Sequence, residues 1–167
     1  MSTGRMTESF EYAAGAGTEL SISTVAERPR EAEIMFAVEA WAVNNSLSRQ
    51  CWLDLQLCID ELFSNICLHS ETPPSSADKE LLVSLSLKKE DNLVILILSD
   101  TGKEFNPMDA LPPKLTAPIE DRSVGGLGIH LVRQTVNRFE YSYKDGKNIV
   151  KLFFHAASQN SVRSFYR

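Results

Sequence analysis

Glu61 and Asn65 stand four residues apart, a spacing that sets two side chains on one side of an α-helix. A carboxylate and an amide would then share one flank. The carboxylate can orient or deprotonate an attacking hydroxyl, and the amide oxygen is a hard ligand that suits Mg2+; for an isolated pair of this kind, a solvated helix edge is the ordinary alternative. Asp100 closes an apolar run and is followed by Thr101 and Gly102. A carboxylate at a strand end can accept a hydrogen bond from an exocyclic amine, while the glycine lets a flat ring approach the backbone. An ordinary turn is the alternative there. Gly125, Gly126, Leu127 and Gly128 immediately precede a helical pattern, where unpaired backbone N–H groups and the helix dipole favour anions such as phosphate. A hinge would use the same glycines. No Gly-Lys-Ser/Thr follows, and the run does not succeed a strand, so the Walker and dinucleotide-binding patterns are both disfavoured.

The elements that would carry these residues follow from periodicity. Leu55, Ile59, Leu62 and Ile66 form a stripe at i, i+4, i+7 and i+11, which predicts a helix from near Ser48 to before Pro73, with Glu61 and Asn65 beside its buried face. An earlier helix is expected after Pro29, where Ile34, Phe36, Ala37, Val38, Trp41 and Ala42 recur until Asn44 and Asn45. Alternation over residues 18–25, at Leu20 and Ile22, predicts a first strand. Residues 81–87 and 93–98 read as a hairpin turned by Asp91 and Asn92, the second strand apolar on both faces. Residues 100–124 are aperiodic and hold Pro107, Pro112, Pro113 and Pro118; a loop this long in a compact domain is usually functional. A helix over residues 127–137 and a final hairpin, with Phe139, Tyr141 and Tyr143 alternating before the Asp145-Gly146 turn and residues 149–154, complete the pattern. The order predicts an α+β fold, a two-layer α/β sandwich whose mixed, largely antiparallel sheet carries helices on one face. One domain over residues 18–156 accounts for the 167-residue chain, with residues 1–17 an unstructured lead-in and 157–167 a polar tail.

Composition narrows the function classes. A hydrophobic share of 43% and a charged share of 23% are those of a globular chain. A net charge of -5 without a basic cluster disfavours a partner bound through nucleic-acid phosphates. Cys51, Cys58 and Cys67 have neither metal spacing nor a Cys-x-x-Cys motif and read as reduced core residues. His69, His130 and His155 are scattered, without metal or triad spacing, and Trp41 and Trp52 read as core anchors. The strongest apolar run, residues 93–98, is far below the roughly 20 residues of a membrane-spanning helix, and no signal peptide is visible, so a cytoplasmic protein is the expectation.

Taken together, Glu61-Leu62-Phe63-Ser64-Asn65, Asp100-Thr101-Gly102 and Gly125-Gly126-Leu127-Gly128 resemble, in order and span, the N, G1 and G2 boxes of the ATPase superfamily that joins gyrase, a heat-shock chaperone, the histidine kinases and the mismatch-repair ATPases. The short layout and the ending over residues 125–154, with Asp145-Gly146-Lys147-Asn148 between the last strands, resemble the bacterial anti-sigma-factor serine/threonine kinases. The resemblance covers residues 20–154 and implies the Bergerat-type ATP-binding fold of that superfamily. It further implies that Glu61 is the general base for a partner's serine, that Asn65 holds Mg2+ between the phosphates, and that Asp100 accepts from the adenine amine with Gly102 giving the base room. Gly126 and Gly128 would line the phosphates together with Gly125 and Leu127, and residues 105–124 would form an ATP lid. The cofactors implied are ATP and Mg2+; the partners are a small anti-sigma-factor antagonist, which is phosphorylated, and a sigma factor, which is sequestered by a homodimer. The sequence departs from the stricter pattern at Glu104, where the G1 box has a second glycine.

Two other function classes compete with a protein kinase. A regulatory module could sequester a partner and use nucleotide as a switch without transferring phosphate. The catalytic half of a two-component histidine kinase needs an upstream helical hairpin with a phosphoacceptor histidine, for which the residues before Glu61 leave too little room beside the domain's own first strand and helix.

Overall fold

The computed structural model describes residues 11–14, 17–72, 80–109 and 127–157. Alternation in the sequence becomes a six-stranded sheet. In chain order the strands are β1 (Glu11–Ala14), β2 (Glu19–Val25), β3 (Leu82–Glu90), β4 (Leu93–Asp100), β5 (Arg138–Lys144) and β6 (Lys147–His155). They lie side by side as β1-β2-β3-β4-β6-β5, and every pairing among the described residues is antiparallel, so the largely antiparallel sheet expected is here antiparallel throughout those residues. The helices are α1 (Arg30–Asn44), α2 (Arg49–His69) and α3 (Leu127–Thr135). The expected α+β two-layer sandwich is the observed one: α1 packs on β2, α2 on β6 and α1, and α3 on α2.

Placement of α2 follows from its apolar stripe. Leu55 and Ile59 are fully buried, and Leu62 and Ile66 nearly so; burying each such side chain is worth about 1.5–3 kcal/mol, enough together to fix the helix's rotation on the sheet. Ser48 caps the start, its Oγ accepting from Cys51 N at 3.2 Å. With the stripe turned into the core cluster that also holds Leu85, Leu96 and Leu152, the flank that carries Glu61 and Asn65 has no freedom to face elsewhere. Strand β4 sits between β3 and β6, which explains its apolar character on both faces: its inward residues Val94, Leu96 and Leu98 are buried and its outward ones half-buried. Asp100 is the last inward position of that strand.

Two expectations shift at the ends of elements. The segment read as an unstructured lead-in contains β1, which pairs with the outer edge of β2 in the register Ala14↔Leu20 to Glu11↔Ser23. Gly17, at φ +64°, sits between the paired strands in a conformation that glycine adopts without a Cβ clash, and four residues are too few to show alternation in sequence. Helix α3 stops at Thr135 rather than Asn137, because Asn137 leaves the helix to bind β6, its N–H donating to Phe153 O at 2.9 Å and its Oδ1 accepting from His155 N at 3.1 Å. The Asp145-Gly146 turn has positive φ at both residues, as a tight two-residue hairpin requires. Cys51 and Cys58 are buried free thiols, pushed up to about 12 by burial, and Trp41 lies in the core while Trp52 packs against it, as the sequence reading has them.

Candidate active site

A cavity of about 370 Å³ opens between α2, the C-terminal end of β4, the loop that follows it, α3 and β6. Asn65 and Asp100 both line it, on opposite walls formed by α2 and the sheet. Leu62, Ile66, Leu98, Ile129 and Val150 supply an apolar interior, the usual character of a small-molecule site with a few polar groups for orientation.

Asp100 is 7% exposed. Its Oδ1 accepts from Gly102 N at 2.8 Å and from Asn148 Nδ2 at 3.0 Å, and no protein donor reaches Oδ2 among the described residues. Burial pushes the carboxyl above its ordinary 3.8, while the bonds from Asn148 and Gly102 pull the other way. A carboxylate with one oxygen clamped and the other at a cavity wall is a directional acceptor. Gly102 is required by close approach: a Cβ there would stand 2.7 Å from Asp100 Oδ1 and 3.1 Å from Ser70 Cβ.

Glu61 is half-buried one turn before Asn65 and leans on Gly128 in the first turn of α3. Leu127 is 49% exposed beside it. The flank of α2 that carries the carboxylate therefore meets the helix end whose N–H groups suit an anion. Gly125 and Gly126 lie outside the described residues, as do residues 110–124 of the expected lid. The start of that segment is held down: Arg133 of α3 donates through Nη2 to the carbonyls of Met108 and, at 3.3 Å, Pro107. Glu104 is exposed and lines the cavity rim, so the departure from the glycine pattern places a carboxylate at the mouth. Among the described residues no three His, Cys, Asp or Glu side chains form a metal cluster. Asn65 contributes a single oxygen to the cavity, a donor set that fits Mg2+ held chiefly by phosphates and water.

Residues 25–154 match the family described as the histidine kinase-like ATPase domain. The chain belongs to that ATPase family. A serine/threonine-protein kinase of Bordetella bronchiseptica, BtrW, is 30% identical over 141 residues, spanning 84% of this chain and 95% of that protein. The crystal structure of the RsbU and RsbW domains of a Mycobacterium tuberculosis protein superposes with a TM-score of 0.55 at 14% identity, over 82% of this chain. The chain spans about a third of that structure, at 32%, and the likeness is one of fold. The superfamily resemblance read from the three boxes, and its serine/threonine kinase branch, are thus borne out.

The structure of this ATPase domain also places residues in the site that pattern reading passed over. Asn148 is 4% exposed and lines the cavity beside Asp100. A signal existed: Val150, Leu152 and Phe154 continue its inward register on β6, so a polar side chain at Asn148 is a buried polar group that calls for partners. His69, which has no metal or triad spacing in the sequence, lines the cavity from the last turn of α2. Its contribution depends on the bend of the chain after α2, which periodicity does not encode. No helix among the described residues is long and apolar enough to cross a membrane.

Proposed function

We propose that the chain is an ATP- and Mg2+-dependent serine/threonine protein kinase of the anti-sigma-factor type, which phosphorylates a small anti-sigma-factor antagonist and sequesters a sigma factor as a homodimer in the cytoplasm. The observation that carries this reading is the pairing of Asp100 with the α2 flank: a clamped carboxylate with a free oxygen lines the cavity opposite Asn65, and one turn before Asn65, outside the cavity lining, the Glu61 carboxylate lies against Gly128. Asp100 accepts from the adenine amine, and Gly102 keeps the space beside it clear. Gly128, with Gly125, Gly126 and Leu127, offers backbone N–H groups to the phosphates. The chemistry Mg2+ would supply there is neutralisation of the charge that develops during phosphoryl transfer. Asn65 is the residue that would hold it. Glu61 takes the proton of the incoming serine hydroxyl as that oxygen bonds to phosphorus, and the leaving diphosphate carries away the bond's electrons.

Incubation with γ-phosphate-labelled ATP and the antagonist tests the reading. Label on an antagonist serine or threonine supports a kinase. Tight nucleotide binding without transfer would instead favour a module that captures its partner and uses nucleotide as a switch.

A further inference from the structure

Asn148 stands where five polar groups converge. Its Nδ2 donates to Asp100 Oδ1 at 3.0 Å and Lys103 O at 2.9 Å, with Gly102 O at 3.4 Å sharing the second hydrogen. Its Oδ1 accepts from Phe105 N at 2.9 Å and Tyr141 Oη at 2.8 Å. A carboxamide has two donor hydrogens and two acceptor lone pairs, so its capacity is spent on the protein and none is left for a ligand. The orientation has no alternative. Turned by 180°, the amide would set its oxygen against the Asp100 carboxylate and the Lys103 carbonyl, and a hydrogen against the Phe105 N–H.

Clamping has a consequence for Asp100. A carboxylate free to spin presents either oxygen in a range of directions; here Oδ1 is held by Asn148 and Gly102, so Oδ2 faces the cavity in one direction only. The same amide ties down the loop through Lys103 and Phe105, and both of those residues line the cavity. Acceptor and adjoining loop wall are therefore registered to each other by one side chain, which is itself braced by Tyr141 from β5.

We propose that Asn148 is a positioning residue that sets nucleobase choice, holding Asp100 Oδ2 as a fixed acceptor so that a 6-aminopurine is taken and a 6-oxopurine refused. An exocyclic amine donates to that oxygen. A 6-oxo group brings a second acceptor against it, and a clamped carboxylate cannot turn away. The inference rests on the adenine reading of the cavity and adds to it the residue that makes the reading selective. Tyr141 acts at one remove, through Asn148 Oδ1.

Calorimetric titration of the full chain with ATP and with inosine triphosphate tests this, read as the ratio of the two affinities. Loss of a hydrogen bond to a charged acceptor corresponds to roughly 10- to 100-fold in affinity; ATP binding by Asn148→Ala is expected to fall by about that factor, inosine triphosphate binding to change little, and the ratio to approach one. Tyr141→Phe, which removes a single neutral hydrogen bond, is expected to lower the ratio by about 2- to 10-fold. A purely structural role would lower thermal stability and leave the ratio where it was. An unchanged ratio in folded Asn148→Ala overturns the proposal; if that variant does not fold, an unchanged ratio in Tyr141→Phe does so. A wild-type chain without preference for ATP overturns the adenine reading itself, a failure visible before any variant is made.

Discussion

The carboxylate of Glu61 lies against Gly128 so closely that a methyl group on that glycine would collide with Oε2 and stand 2.9 Å from Cδ. The residues proposed as general base and as part of the phosphate-binding turn are thus packed together, one on α2 and the other at the start of α3. Their roles separate from that of Asn65, one turn along α2. Glu61→Ala is expected to slow transfer by about 10²- to 10⁴-fold with nucleotide affinity little changed. Asn65→Ala is expected to weaken Mg2+-dependent binding by roughly 10- to 100-fold. Single-turnover transfer and equilibrium binding, measured on both variants, distinguish the two; a normal transfer rate in Glu61→Ala would require a different base.

Gly128→Ala tests the contact itself. The added carbon has no room unless Glu61 moves, and a displacement of about 1 Å at a reacting group can cost on the order of 10²-fold in rate. Alanine is otherwise a better helix residue than glycine, so the expected variant is folded, with undiminished thermal stability and slow transfer. Wild-type rates from a folded Gly128→Ala would show that the observed position of Glu61 is not the one used in transfer.

Asp100 is expected to couple binding to pH. Burial raises its pKa above 3.8, so the folded state holds this proton more tightly than the unfolded chain does. The carboxyl's contribution to stability is then fully present below 3.8 and is lost as pH rises through the folded value. At neutral pH the ionised group therefore costs stability, and it is retained as an acceptor. Asp100→Asn is expected to keep or raise the melting temperature at neutral pH, since its amide oxygen can still accept from Gly102 N and Asn148 Nδ2, and to weaken ATP binding by roughly 1.5–3 kcal/mol. In the wild type, ATP affinity is expected to fall as acidification protonates Asp100, a fall absent from the variant. Melting curves and titrations from neutral pH down through the acid range check both signs.

Much of this was legible in the residues because local pattern and tertiary role coincide. The stripe of Leu55, Ile59, Leu62 and Ile66 both makes α2 and aims Glu61 and Asn65, and the Asp145-Gly146 turn sets the register that brings β6 beside β4. Hidden from pattern reading were relations fixed only by packing. Asn148 meets Asp100 because their positions pair across β4 and β6, 48 residues apart in the chain, and nothing local signals that distance. Strand β1 escaped because it has no pattern of its own and forms on an edge that β2 supplies.

That edge changes where an identical copy could dock. Left uncovered, the outer edge of β2 would invite a second chain, yet β1 occupies it. The helix remains: Phe36 is 77% exposed and Val43 72%, seven residues apart with exposed Ala40 between them, on the face of α1 turned away from the core. Two such side chains on one helix face are a self-complementary apolar stripe of the kind a two-fold interface covers. A homodimer through α1 is expected to bury about 1,200–2,000 Å² in total, with Phe36 near its centre. Phe36→Asp would place a charge opposite its own copy and is expected to give a monomer at micromolar concentration by light scattering, while the buried residues Ile34, Val38 and Trp41 keep α1 on the sheet and ATP binding is retained. A wild-type chain of monomeric mass, or a Phe36→Asp variant that remains dimeric, would move the interface off this helix.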